Sequence, residues 1–294
     1  MTNPILVPND GSAEAEYGLT VAILVARALD TPIRLFWSWE RPAGLEEVVT
    51  ASFATQIEKR ELADRREHLQ SLGERICGPA GVDWSVEVGI GEPEETIVAR
   101  ANAIDAEMIV MATHGRSGFK RWRLGSVADR VVRTSDRPTM LIHPQPDAAV
   151  PRAIRTVLVP LDGSERSEAA LPAAIRLTEA TAATLRLLRV AKLIAPMAAV
   201  DYGASYQDLD GAVAAAAAAY LDEVRKRLAV EPIEVSVISR DPRSGIIEEA
   251  HDVDLIVMAS HGRGGMLRMA LGSVTDTVIR GAGKPVLVVP VPDA

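Results

Sequence analysis

Cysteine is almost missing from this chain: Cys77 is the only one in 294 residues. A lone cysteine closes no intrachain disulfide and supplies no thiolate metal cluster, which fits a reducing compartment and leads us to expect a cytoplasmic protein. A basic excess is missing too. The formal net charge is −8, which argues against a general DNA or RNA binder, since such a protein needs a cationic stripe to neutralise phosphates. A small anionic ligand is not excluded. No stretch approaches the roughly 18 apolar residues of a membrane-spanning helix. The opening MTNPILVPNDGS enters a strand-like run without the basic segment and long apolar stretch of a signal peptide. No GxxxxGK[ST] loop occurs, and no GxGxxG follows the first apolar run. What is present is 48% hydrophobic and 24% charged sequence, long enough for two domains that each bury a core.

The chain repeats itself. ILVPNDGSAEAE at residues 5–16 returns as VLVPLDGSERSE at 157–168, so that Asp10 corresponds to Asp162. MATHGRSGFKRWRLGSV at 111–127 returns as MASHGRGGMLRMALGSV at 258–274, so that Gly125 corresponds to Gly272. The two offsets differ by five residues, which marks one duplicated domain whose copies have diverged in length, not a solenoid. Between the copies, residues 143–152 (HPQPDAAVPR) lack apolar periodicity and read as a linker. The expected domains are 1–146 and 152–294.

Each copy alternates strand and helix patterns. Strands are expected at 4–8, 33–39, 84–90, 108–113 and 139–143, then at 156–161, 185–191, 233–239, 255–260 and 286–290. Several are unbroken apolar runs, as expected where a sheet is covered on both faces. Helical segments fall between them, at 13–29 and 208–230 for example, the latter carrying an alanine run of high helix propensity. Five strands with crossover helices give an α/β fold, a doubly wound parallel sheet in each domain.

The repeated glycine phrase starts at the carboxyl end of the fourth strand and leads into a helix near GSV, where open α/β sheets collect ligands. Its glycines permit positive φ and close backbone approach. Gly125-Ser126 and Gly272-Ser273 put main-chain N–H groups and a hydroxyl at a helix start, an arrangement suited to an anion.

The pairing of VP-x-DGS after strand one with HG-x9-GS after strand four, in tandem, closely resembles the universal stress protein family over nearly the whole chain. Its ATP-binding branch carries G-x2-G-x9-G-[ST], matched here by Ala112, Gly115, Gly125 and Ser126, and by Ala259, Gly262, Gly272 and Ser273. The first glycine is alanine in both copies, which is acceptable where φ is negative. The resemblance implies Rossmann-like sheets of strand order 3-2-1-4-5, packed as a pseudo-twofold pair. It further implies that Asp10 and Asp162 lie beside the nucleoside, that main-chain groups of Ser38 and Val190 read the adenine edge, and that the loop holds a triphosphate with Mg²⁺ or Mn²⁺ between its oxygens. The full ATP set so implied is Pro8, Asp10, Ser38, Ala112, Gly115, Arg116, Gly118, Gly125, Ser126 and Val127 in the first copy. In the second it is Pro160, Asp162, Val190, Ala259, Gly262, Arg263, Gly265, Gly272, Ser273 and Val274. No catalytic residue and no protein metal ligand is assigned. The function implied is that of an ATP-binding regulator in stress response, acting on a protein partner the sequence does not identify. The alternatives are a slow ATPase or autophosphorylating enzyme and a nucleotide-free scaffold. Relatives with one domain pair through their fifth strands, so an intrachain pair is expected, and a homodimer of such chains is a further expectation.

Each feature also has a plainer reading. Asp-Gly-Ser after a strand is a turn and helix cap. His114 and His261 stand beside the loop with no second ligand at metal spacing, which favours structural or hydrogen-bonding roles. Arg116, Arg121, Arg263 and Arg268 either reach phosphate oxygens or remain solvated. Trp37, Trp39 and Trp122 are core or contact residues, with Trp37 alternatively bordering the adenine pocket. Glu46, Glu47, Glu58 and Glu61 read as one solvated helix face.

Overall fold

Runs such as MIVMA and LIVMA are apolar at every position, so each side chain of these strands needs cover whichever face it points to. The computed structural model describes residues 2–44, 50–114, 124–143, 153–191, 206–260 and 271–291. The chain divides into two compact units, Met1–Val150 and Pro151–Ala294. The linker reading at 143–152 falls outside the described residues, apart from His143.

Unit one runs β1 (Ile5–Pro8), α1 (Ala13–Leu29), β2 (Ile33–Trp39), α2 (Ala51–Ala80), β3 (Trp84–Ile90), α3 (Pro93–Ala103), β4 (Met108–Ala112), α4 (Ser126–Thr134), β5 (Thr139–Ile142). Its strands are all parallel in the order β3-β2-β1-β4-β5. Unit two runs β6 (Thr156–Pro160), α5 (Glu165–Glu168), α6 (Leu171–Thr181), β7 (Thr184–Ala191), α7 (Tyr206–Arg227), β8 (Ile233–Ser239), α8 (Pro242–Glu249), β9 (Leu255–Ala259), α9 (Ser273–Gly281), β10 (Val286–Val289). Its parallel order, β8-β7-β6-β9-β10, repeats that of unit one. β4 and β9, inside their sheets, are buried along their whole length, whereas the edge strands β3 and β8 are only partly covered.

Local chemistry explains the element starts. Ser12 caps α1 by accepting from the Ala15 N–H at 3.1 Å, with Glu14 and Glu16 in the first turn complementing the helix dipole. α1 lies close to β4 because Gly18 faces it: a Cβ there would stand 3.3 Å from the Ala112 nitrogen. In unit two the counterpart of α1 is interrupted. Pro172, which has no N–H and whose ring opposes the preceding turn, stands at the start of α6 and separates it from the short α5. The helix expected at 208–230 spans Tyr206–Arg227, and several strands end one residue earlier than expected, where the chain leaves the sheet.

Candidate functional site

β1 and β4 are neighbours, yet the chain leaves β1 toward β2 and returns to β4 only after β3, so their carboxyl ends flank the point where the order reverses. A cavity of about 340 Å³ opens there in unit one. It is lined by Pro8 at the end of β1 and Asp10 beyond it, Phe36, Trp37 and Ser38 on β2, Ala112, Thr113 and His114 at the end of β4, and Gly125, Ser126 and Val127 at the start of α4.

Asp10 turns the chain out of β1. Its Oδ1 accepts from the Ser12 N–H at 3.1 Å and from the Ser12 hydroxyl at 2.6 Å, and Ser12 caps α1 in turn. Gly11 takes φ +78°, a left-handed conformation costly for any residue with a Cβ. Unit two repeats the device: Asp162 Oδ1 accepts from the Ser164 N–H at 3.0 Å, Ser164 caps α5, and Gly163 has φ +79°. The turn-and-cap reading of Asp-Gly-Ser therefore describes the local geometry, and it holds Asp10 against the cavity.

β2 continues past β1. The Asn9 N–H donates to the Phe36 carbonyl at 2.8 Å, the last rung on that side. Main-chain groups alternate sides along a strand, so the N–H and C=O of Ser38 point to the same side as those of Phe36, beyond the end of β1. The Ser38 side chain is turned elsewhere, its hydroxyl donating to the Gly91 carbonyl at 2.8 Å with the Thr96 hydroxyl also at 2.8 Å. Trp37 is buried, stands edge-to-face with His68 and carries the Arg65 guanidinium over its ring. It is thus both core residue and cavity wall.

At the other end of the cavity, of the two reasons expected for glycine, positive φ and close backbone approach, Gly125 shows the second and not the first. Gly125 has φ −62° and Gly272 φ −57°, so neither needs a left-handed backbone. Space is what requires glycine at Gly125: a Cβ would lie 2.8 Å from the Thr113 carbonyl oxygen, which accepts the Gly125 N–H at 2.8 Å. Gly272 makes the same bond to Ser260 at 2.9 Å. Having no side chain, Gly125 and Gly272 cannot cap α4 and α9. The first-turn N–H groups, including those of Ser126 and Val127 at the cavity, have no acceptor within the helix and carry the positive end of its dipole.

His114 enters a hydrogen-bonded chain. The Thr113 hydroxyl lies 3.1 Å from Nδ1 of His114 and 3.1 Å from Nδ1 of His143, and the two rings stand edge-to-face. One hydroxyl proton serves both contacts when one ring presents a bare Nδ1 and the other an Nδ1–H. In unit two, Ser273 accepts from Arg243 of α8 at 3.3 Å. The corresponding residue of unit one is Glu94, paired with Arg130 at 2.5 Å. Ala112 and Ala259 close β4 and β9, and neither has positive φ.

Gly115, Arg116, Gly118, Arg121 and Trp122 lie outside the described residues, as do His261, Gly262, Arg263, Gly265 and Arg268. So do Glu46 and Glu47, while Glu58 and Glu61 of α2 are ion-paired to Arg41, which precedes the helix, and to Arg65 within it, a face less solvated than expected. Sequence reasoning passed over Asn9, Thr113 and Arg243. For Asn9 a signal existed, because VPND in one copy stands against VPLD in the other.

The sequence profile described as the universal stress protein family matches residues 1–143 and 153–290. The chain belongs to that family. A universal stress protein of Mycobacterium tuberculosis is 31% identical over 207 residues, covering 69% of this chain and 67% of that protein. One from Mycolicibacterium smegmatis is 28% identical over 295 residues, covering 97% and 96%. Among solved structures, a universal stress protein from Archaeoglobus fulgidus superposes with a TM-score of 0.71, covering 98% of each chain at 22% identity, a likeness of fold. The two profile matches fall on the two structural units, so each unit is a universal stress protein domain with its own set of strand ends.

Proposed function

We propose that this universal stress protein binds an adenine nucleotide at the carboxyl ends of its strands, and that occupancy regulates a protein partner in stress response. ATP is the nucleotide, with Mg²⁺ or Mn²⁺ carried on its phosphates, and the setting is the cytoplasm. The observation that carries this reading is the cavity of unit one. It joins a strand end offering main-chain groups at Ser38, a carboxylate at Asp10 and an aromatic wall at Trp37 to the uncapped start of α4. The first end suits a nucleoside and the second suits phosphate oxygens. The metal would take its ligands from the phosphates, as Mg²⁺ commonly does with nucleotides. Asp162, Val190, Gly272 and Ser273 give unit two the same framework, with Arg243 added beside Ser273.

The test is equilibrium binding of labelled ATP with Mg²⁺ to nucleotide-stripped protein. Saturation at one or two sites per chain is expected. No binding at millimolar ATP, in protein shown to be folded, would refute the reading and leave a scaffold whose glycine loops are only helix starts. Phosphate release followed in the same samples separates a regulator from a slow ATPase. Sedimentation of the same samples tests the further proposal that two chains form a homodimer.

A further inference from the structure

Asn9 is the first residue past β1 and is only 4% exposed. Its Oδ1 accepts from the Gly11 N–H at 2.8 Å, which fixes the orientation of the amide, because the reversed group would set donor against donor. The other end, Nδ2, is buried with no hydrogen-bond partner, and Asn9 lines the cavity between the Ser38 strand end and Thr113. Buried donors left unsatisfied are rare and costly, and one at a ligand cavity is explained by a ligand acceptor.

The second copy shows what this position looks like without that group. The Leu161 N–H donates to the Leu188 carbonyl at 2.8 Å, as Asn9 does to Phe36, so the backbone register is the same while the side chain is apolar and buried. The neighbouring position has changed with it: where unit one has Trp37, unit two has Arg189, whose guanidinium donates to the Leu161 carbonyl at 3.0 Å.

Building on the nucleotide reading above, we propose that Asn9 is a specificity-determining residue: its Nδ2 donates to an acceptor on the nucleoside part of the ligand. This contact makes unit one the tighter and more selective nucleotide site of the two. The nucleoside is the partner because Asn9 lies beside the Ser38 end of the cavity, while the phosphates are served by α4.

All four tryptophans, Trp37, Trp39, Trp84 and Trp122, precede the second copy, so tryptophan emission, excited apart from the tyrosines Tyr202, Tyr206 and Tyr220 of unit two, arises in unit one alone. The full chain and its Asn9→Leu and Asn9→Asp variants are titrated with Mg-ATP and, separately, with inorganic tripolyphosphate, with calorimetry in parallel. Asn9→Asp keeps the shape and the acceptor for the Gly11 N–H but replaces the donor with an oxygen, so it carries the test should the leucine variant fail to fold. ATP affinity at the fluorescent site is expected to fall about tenfold in Asn9→Leu and further in Asn9→Asp, with tripolyphosphate affinity in Asn9→Leu unchanged. Equal ATP affinity in all three proteins would overturn the inference alone. So would a parallel loss of tripolyphosphate in Asn9→Leu, or calorimetric binding with no fluorescence response. No binding of ATP by either method removes the nucleotide reading and this inference with it.

Discussion

Gly125 illustrates how one residue can be required for a reason its neighbours do not reveal. Its φ and ψ suit any residue, but the atom alanine would add meets the Thr113 carbonyl at 2.8 Å. Gly125→Ala should therefore push the start of α4 away from β4. We expect a stability loss of about 1–3 kcal/mol by thermal denaturation and weaker ATP binding. Unchanged binding would show that the gap between α4 and β4 is not part of the anion site. Cys77 is a second case, with no accessible surface, and its burial pushes the thiol up to about 11. A raised thiol pKa leaves little thiolate near neutrality, and burial blocks what forms. Iodoacetamide at pH 8 should leave native protein unmodified and label it once denaturant is added; rapid native labelling would contradict the packing described.

Between elements, α2 approaches β3 through another glycine. A Cβ on Gly73 would stand 2.3 Å from the Trp84 ring, so the helix rests on the indole face itself. Gly73→Ala is expected to lower the melting temperature and shift tryptophan emission as the ring moves, at a cost of about 1–3 kcal/mol. A variant as stable as the parent would mean that α2 slides freely over the sheet edge. The first helices of the two units tell a related story. α1 runs unbroken from its Ser12 cap, whereas Pro172 divides its counterpart into α5 and α6 without disturbing the Asp162 turn that precedes it. The turn is local hydrogen bonding and survives a change in the helix behind it.

For the molecule as a whole, duplication has preserved backbone geometry and changed side chains at matching corners: Asn9 against Leu161, Trp37 against Arg189, Glu94 against Arg243. On the nucleotide reading, the two matching corners thus offer different chemistry, and a measurement that sees one copy should differ from one that sees both. Tryptophan emission should saturate at one equivalent of ATP, while heat of binding counts every site. Identical curves from the two would mean that unit two takes up no nucleotide in that range.

The succession of elements was legible in the sequence because it depends on short-range patterns, whereas the strand order, which pairs segments as distant as β1 and β4, was implied by the family resemblance. Apolar runs of four to eight residues, helical spacing between them and the repeated Asp-Gly-Ser turns specify each element from its own residues. With crossover handedness they leave few arrangements open. The site was legible only as positions: Asp10, Ser38, Gly125 and Ser126 lie far apart in the chain, and each has an ordinary local reading as cap, strand or helix start. Only the folded sheet decided that these residues line one cavity, that Gly125 is needed for space and not for φ, and that one end of the Asn9 amide is left without a partner. Those facts depend on distances between segments that no local pattern encodes.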